Sequence, residues 1–138
     1  MALLCLNANA QIKKSDLQGA WKLVAALEIQ NGITGNFVGK YATMNETKIW
    51  SGNVVMFVSQ YKGRKEQSED YGSGTWKLNG NNYEESYTIS SFKESLENKT
   101  VRPKLEIKGD TLVQTFFLNE KFDPASDTLY VWKYLKIK

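Results

Sequence analysis

From Trp21 to the C-terminus, apolar and polar residues alternate with a period of two in a series of short segments. A period of two is typical of β-strands, because successive side chains of a strand point to opposite faces of the sheet. In the first segment one face is apolar throughout, and its members are Trp21, Leu23, Ala25, Leu27 and Ile29. This pattern predicts a half-buried strand.

Turn signals divide the later alternating segments into strands. Asn79-Gly80 lies between two such segments and predicts a β-hairpin, because both central residues of the turn need positive φ. Gly109-Asp110 predicts a second tight turn. The later strands are predicted at Lys48–Tyr61, Gly74–Leu78, Tyr83–Ile89, 104–108, Thr111–Asn119 and Thr128–Lys138.

Two segments do not follow the strand pattern. Residues 31–47 are rich in Gly, Asn and Thr and are interpreted as a long loop. Ser91 and Glu94 have the spacing of a capping box, and Phe92 lies four residues before Leu96. A single short helix is therefore predicted over 92–98.

The series of strands, without βαβ alternation, is typical of an all-β sandwich or an up-and-down barrel. Several strands are apolar on both faces, and the chain contains 4 Trp, 7 Tyr and 6 Phe. Both observations favour a closed barrel. An eight-stranded barrel can enclose one small ligand, and a lumen lined by aromatic side chains suits an apolar one. The predicted fold is a single antiparallel up-and-down β-barrel of about eight strands with one short helix.

Composition excludes several classes of site. The 138 residues include no histidine and one cysteine, Cys5, which excludes His-dependent catalytic triads, His-ligated zinc or haem, and an intrachain disulfide. No metal or cofactor is therefore expected. The net charge of +3 is small and its signs are mixed, so nucleic acid is not an expected partner. No apolar run is long enough to predict a transmembrane helix.

The first ten residues are interpreted as the remnant of a signal peptide. A short apolar stretch, Ala2–Leu6, precedes Ala8-Asn9-Ala10, the Ala-x-Ala pattern at which signal peptides end. The alternative is a short apolar first strand or arm. The signal interpretation predicts a domain over residues 11–138 and a secreted or periplasmic location.

Several motifs, in this order, resemble the lipocalins and the related fatty-acid-binding proteins of the calycin superfamily. Gly19-Ala20-Trp21 is similar to the Gly-x-Trp start of these barrels, in which the tryptophan closes the floor. Residues 71–83, Lys108-Gly109-Asp110-Thr111-Leu112 and Val131-Trp132-Lys133-Tyr134 resemble later strands of small lipocalin-like proteins. Many of those proteins are exported by Bacteroidetes-type bacteria and have no assigned activity. The resemblance implies a ligand-binding barrel.

The chain departs from these families in its polar residues. The fatty-acid-binding proteins place a two-helix lid between their first strands, whereas residues 31–47 have the wrong composition for helices. Those proteins also hold a carboxylate with an Arg-x-Tyr pair near the C-terminus. The only arginines here are Arg64 and Arg102, outside the last strand. The carboxylate clamp is therefore not transferred to this chain.

The candidate ligand-binding residues are aromatic side chains expected to face the lumen: Phe57, Trp76, Tyr83, Phe116, Tyr130 and Trp132. Taken singly, each is better explained as ordinary core, whereas the set as a whole favours a ligand site because its Tyr and Trp side chains keep polar groups. Trp21 is expected to be core, and Lys133 or Lys136 either covers it or is a solvated charge. Glu85 alternates with two tyrosines, and the preferred interpretation places it on the exterior. On the interior it would be a buried carboxylate in need of a partner.

These residues leave three hypotheses for function. The first is an exported binding protein that holds a small apolar or amphipathic ligand in the lumen. The second is a filled barrel that acts as a protein-interaction or inhibitor module through its loops, with Lys62–Asp70 as the first candidate. The third, an enzyme that uses Glu84 or Glu85, is disfavoured because the sequence shows no paired acid and base.

Overall fold

The computed structural model describes residues 11–36, 43–62, 67–94, 96–116, 119–121, 123 and 126–138. The predicted signal remnant at 1–10 lies outside these residues. One helix and ten strands form within the described part of the chain: α1 (Lys14–Leu17), β1 (Gly19–Gln30), β2 (Ile33–Asn36), β3 (Thr43–Ser51), β4 (Val54–Lys62), β5 (Gln67–Asn79), β6 (Asn82–Ser90), β7 (Lys99–Val101), β8 (Lys104–Lys108), β9 (Thr111–Phe116) and β10 (Thr128–Lys136).

The strands form one antiparallel sheet that curls into an up-and-down barrel. Its order is β7-β6-β5-β4-β3-β1-β10-β9-β8, and β2 pairs with the second half of β1. The edge strands β7 and β8 are consecutive in the chain and are separated by Arg102 and Pro103. Pro103 is buried and has no backbone N–H to continue a ladder between them. The predicted fold class is confirmed.

The segment Lys48–Tyr61 is a hairpin, so its prediction as one strand was wrong. Ser51 pairs with Val54, and Gly52 turns the chain at a φ of 58°. The amide of Gly52 donates to Oε1 of Gln18, which fastens this turn to the start of β1. Because β3 begins at Thr43, residues 31–47 are also not one long loop: they contain β2 and the first half of β3.

The first strand changes its inward face at a bulge. The pairing of β1 with β10 shifts register between Leu23 and Ala25. Trp21 and Leu23 point inward before the bulge, whereas Ala26 is the buried residue after it. The predicted single face is therefore wrong beyond Leu23, because one extra residue reverses the alternation.

The short helix lies at the start of the barrel instead of at 92–98. The described residues of 92–98 form hydrogen-bonded turns, including Leu96 N to Phe92 O at 2.9 Å. In α1 the buried Leu17 accepts a hydrogen bond at its carbonyl from Trp21 Nε1, at 2.8 Å. The Lys136 ammonium lies 5.0 Å from the centre of the Trp21 ring. Both the core assignment of Trp21 and its cover by Lys136 are confirmed.

Alternation along the strands divides the interior into three layers. The end next to α1 is packed with apolar side chains, Trp21, Trp50, Val55, Trp76, Tyr83, Leu105 and Leu112 among them. Two residues further from α1 along each strand, the interior becomes polar. Lys48 lies next to Trp50 on β3 at this level, and Gln114 lies next to Leu112 on β9. A further step leads to aromatic side chains such as Phe116 on β9, and on β3 it leads to Glu46. The candidate site lies in these last two layers.

Candidate functional site

Glu85 is the centre of a buried polar cluster, so its predicted exterior position was wrong. The side chain is fully buried on β6. The Tyr83 hydroxyl donates to Glu85 Oε1 at 2.7 Å, and the Tyr87 hydroxyl donates to Oε2 at 2.6 Å. Both tyrosines lie two residues away on the same strand, so the alternation of β6 itself brings the three polar groups to one face.

The same carboxylate forms an ion pair across the barrel. Lys48 Nζ lies 2.6 Å from Glu85 Oε1, and both side chains are buried. The Lys48 ammonium also donates to Gln114 Oε1 at 3.1 Å, while Gln114 Nε2 donates to Glu85 Oε1 at 3.3 Å. Lys48, Gln114 and Glu85 therefore form a closed triangle of charge-assisted hydrogen bonds. The buried charges compensate each other at this level.

Glu46 is a second interior carboxylate, two residues before Lys48 on β3. Its Oε1 accepts a hydrogen bond from the Tyr134 hydroxyl at 2.6 Å. Among the described residues, no cation lies within ion-pair distance of Glu46. The side chain is 3% exposed, so the surrounding water is nearly all removed.

The two carboxylates therefore have opposite pKa shifts. Burial raises the pKa of Glu46 to about 7, against the weaker effects of the Tyr134 hydrogen bond and of Lys48. Burial also acts on Glu85, but the ammonium of Lys48 and the tyrosine hydroxyls outweigh it and lower the pKa of Glu85. Burial and the negative charge of Glu85 raise the pKa values of Tyr83 and Tyr87, so both remain hydrogen-bond donors.

A cavity of about 450 Å³ lies against this polar cluster. This volume falls within the roughly 300–1,000 Å³ that small-molecule sites occupy. Glu46, Lys48, Glu85 and Tyr87 form its polar wall. The other lining residues are mostly apolar or aromatic and less buried: Phe57, Tyr61, Phe92, Leu96, Thr100, Val101, Arg102, Phe116, Tyr130 and Trp132.

The structure brings four of the six sequence-predicted site residues to the cavity. Phe57, Phe116, Tyr130 and Trp132 line it, and the rings of Phe116 and Trp132 meet edge to face at 5.1 Å between centroids. The other two, Trp76 and Tyr83, are buried in the packed layer beneath and contact each other at 5.8 Å. A role for these residues in ligand binding stays a prediction.

Sequence reasoning missed the residues that make the cavity polar. The sequence pattern predicts a loop at Glu46 and a strand end at Lys48, and it predicts no site role for Gln114. The available signal was the alternation Met44, Glu46, Lys48, Trp50, which ends on a large aromatic residue. Two charges on the inward face of a strand are not expected from such a pattern, because charged residues are nearly always solvated.

The described residues contain no cluster of three or more potential metal ligands. Within them, no helix is both long and apolar enough to cross a membrane.

Glu84, a candidate acid or base, does not pair with Glu85: it accepts a hydrogen bond from Arg102 Nε at 3.1 Å, where both side chains are partly exposed. The cluster can thus offer hydrogen bonds and charge to a ligand.

No family model matches the chain, and no curated protein matches it. The solved structures to which the chain is similar include a REP1-NXSQ fatty acid transporter. The two have 14% sequence identity and a TM-score of 0.42, and the alignment covers 90% of this chain and 98% of that chain. A mutant of the fluorescent protein UnaG has 12% identity, the same coverage and a TM-score of 0.42. The fatty-acid-binding protein of Manduca sexta has 15% identity, with 86% of this chain and 98% of that chain covered and a TM-score of 0.38.

Proposed function

We propose that the protein is a binding protein that holds a small apolar or amphipathic ligand inside its barrel. The observation that carries this proposal is the division of the interior. One end is filled by side chains, whereas the other leaves a cavity of about 450 Å³ with a mostly apolar and aromatic wall. A barrel filled throughout by its own side chains, the alternative prediction, would leave no such space.

Burial of apolar surface supplies the affinity in this proposal. Each Å² of apolar ligand surface removed from water contributes about 25 cal/mol. The polar wall formed by Glu46, Lys48 and Glu85 then orients the ligand, as a few placed polar groups do in small-molecule sites. No bond to the ligand needs to form or break.

The site of action in this proposal is outside the cytoplasm, in the periplasm or beyond the cell. Its support is the Ala-x-Ala pattern of residues 8–10 after a short apolar stretch. Mass spectrometry of the protein recovered from culture medium and cell fractions tests this part. A mature chain that begins near Gln11 is the expected result, and a cytoplasmic protein that retains residues 1–10 contradicts it.

A matched pair of substitutions on inward and outward faces tests the binding proposal. Val101 lines the cavity, whereas Val58 is 61% exposed on the outside of β4. Val101→Trp fills part of the cavity and is expected to weaken binding of the neutral apolar dye Nile red about tenfold or more. Val58→Trp adds the same side chain outside and should leave binding unchanged.

Circular dichroism and thermal unfolding establish that both variants keep the fold. A folded Val101→Trp variant that binds Nile red as tightly as the wild type would place the dye elsewhere and overturn the proposal. Absence of binding by the wild type to any apolar probe would overturn it as well.

A further inference from the structure

We propose that the cavity selects amphiphiles whose polar end donates hydrogen bonds, an alkylammonium above all, and disfavours carboxylates. This inference rests on the proposed function, because it names the head group of the ligand that the same cavity would hold. It follows from the balance of charges on the polar wall, residue by residue.

The interior cation is already neutralised. Lys48 is the only ammonium on the cavity wall among the described residues, and it lies 2.6 Å from Glu85 and 3.1 Å from the amide oxygen of Gln114. Aromatic rings take up further faces of the ammonium, since Nζ lies 5.1 Å from the centre of Trp50 and 5.8 Å from that of Phe116. An incoming carboxylate would compete with Glu85 for a cation that has three donors in all.

The buried part of the cavity wall has two carboxyl groups, Glu85 and Glu46, and one ammonium, that of Lys48. Glu85 is satisfied by Lys48, Gln114 and two tyrosine hydroxyls. Glu46 remains as a second carboxyl group on the cavity wall, with a phenol as its hydrogen-bonded partner and no ion pair among the described residues. When Glu46 is ionised, the buried part of the wall, formed by Glu46, Lys48 and Glu85, carries one excess negative charge, which attracts a cation and repels an anion.

Arg102 does not supply a free anion site at the more exposed part of the wall. Its Nε donates to Glu84 Oε1 at 3.1 Å, on side chains that are 22% and 34% exposed. A carboxylate bound there would have to displace or share this partner in the presence of water, where ion pairs contribute little. The charges at both ends of the wall therefore favour a donating head group.

Three ligands with one alkyl chain and different heads test the inference: dodecylamine, dodecanol and dodecanoate. We expect isothermal titration calorimetry at pH 8 to show the tightest binding for dodecylamine and intermediate binding for dodecanol. Dodecanoate should bind about tenfold or more weakly than dodecylamine. The buried charge of ionised Glu46 repels the carboxylate head group and attracts the ammonium head group. The shared chain makes the apolar contribution equal.

Glu46→Gln identifies the origin of this preference. The substitution keeps the shape and an acceptor for Tyr134 but removes the charge. We expect it to weaken dodecylamine and strengthen dodecanoate, so that their ratio falls about tenfold, with dodecanol little changed. Glu106→Gln is the matched control, because Glu106 lies on β8 with a side chain 57% exposed, and it should leave all three affinities unchanged.

The outcomes separate the two proposals. If dodecanoate binds the wild type as tightly as dodecylamine does, or if the ratio is the same in Glu46→Gln, the head-group inference is overturned while the binding function stands. If none of the three ligands binds although Nile red does, the inference is overturned and the binding function stands; if Nile red does not bind either, both are overturned.

Discussion

At the scale of single residues, Lys48 balances the most deeply buried charge in the barrel. Replacing it by methionine would leave the carboxyl group of Glu85 buried without its cation. We expect Lys48→Met to lower the free energy of unfolding by about 3–5 kcal/mol. Lys104→Met, which breaks the exposed pair with Glu106, should cost less than about 1 kcal/mol. Equal, small losses for the two variants in urea titrations would show that the buried pair does not form.

Glu46 gives the stability of the barrel a distinctive dependence on pH. Its pKa of about 7 in the folded state lies above its ordinary value of 4.5, so the folded protein binds this proton more tightly than the unfolded chain does. Its contribution to stability is therefore complete below pH 4.5 and is lost as the pH rises through 7. The groups that face it are Lys48 on its own strand, Glu85 and Tyr87 on β6, and Tyr134 on β10.

Glu46→Gln removes this titration and leaves that of Glu85, whose lowered pKa affects stability only in acid. We expect the variant to gain stability relative to the wild type between pH 4.5 and 7, by about 3 kcal/mol in total. Urea denaturation of both proteins across this range measures the difference. A difference that does not change with pH would contradict the burial of an ionisable Glu46.

The same residues show why the polar wall could not be predicted. Local alternation assigns Glu85 and Lys48 to a face only relative to their neighbours, and the general tendency of charges to be solvated then favours the exterior. Their burial depends on each other and on Gln114, which come from strands far apart in the sequence. Phe57 and Trp132 lie on the cavity wall because size and hydrophobicity alone favour the interior, and their role in ligand binding stays a prediction.

At the scale of elements, the close approach of β5 and β6 depends on a glycine. A Cβ atom on Gly74 would lie 1.9 Å from the carbonyl oxygen of Ser86, at the place where the register of the two strands shifts. We expect Gly74→Ala to destabilise the fold by about 2 kcal/mol or more, because backbone would have to move. Gly35→Ala in β2 meets its nearest atom at 3.7 Å and should change stability by less than about 0.5 kcal/mol.

Thermal unfolding of the two glycine variants measures this difference. A Gly74→Ala protein as stable as the wild type would mean that β5 and β6 are spaced more widely than described.

Turn chemistry decided which elements could be predicted. Asn79 pairs with Asn82, so the Asn-Gly signal correctly located the β5–β6 hairpin, although the central residues are Gly80 and Asn81 and only Gly80 has a positive φ, of 63°. Gly52 makes an equally tight turn that the sequence pattern does not predict. The apolar residues after it, Val54 and Val58, face outward, so the segment has the continuous apolar pattern of one buried strand. The turns at 92–98 include one helical hydrogen bond, from Leu96 N to Phe92 O. They do not continue as a helix, because β7 begins at Lys99.

At the scale of the whole molecule, alternation and short turns predicted an antiparallel sandwich or barrel, and the strands that are apolar on both faces, together with the many aromatic residues, favoured the barrel. They could not predict how much of the lumen is filled, because that depends on which side chains meet across the barrel. The structure fills the end at α1 with Trp21, Trp50 and Trp76, and leaves Trp132 on the cavity wall.

This distribution of the chain's 4 tryptophans allows the central claim to be measured directly. Each indole N–H gives its own signal in a proton–nitrogen correlation spectrum, and a Trp132→Phe variant assigns the one at the cavity. On titration with dodecylamine, the Trp132 signal should shift most and those of Trp21 and Trp76 least. Shifts that are largest at Trp21 or Trp76, or no shift at Trp132 while the ligand binds, would contradict a binding site inside this barrel.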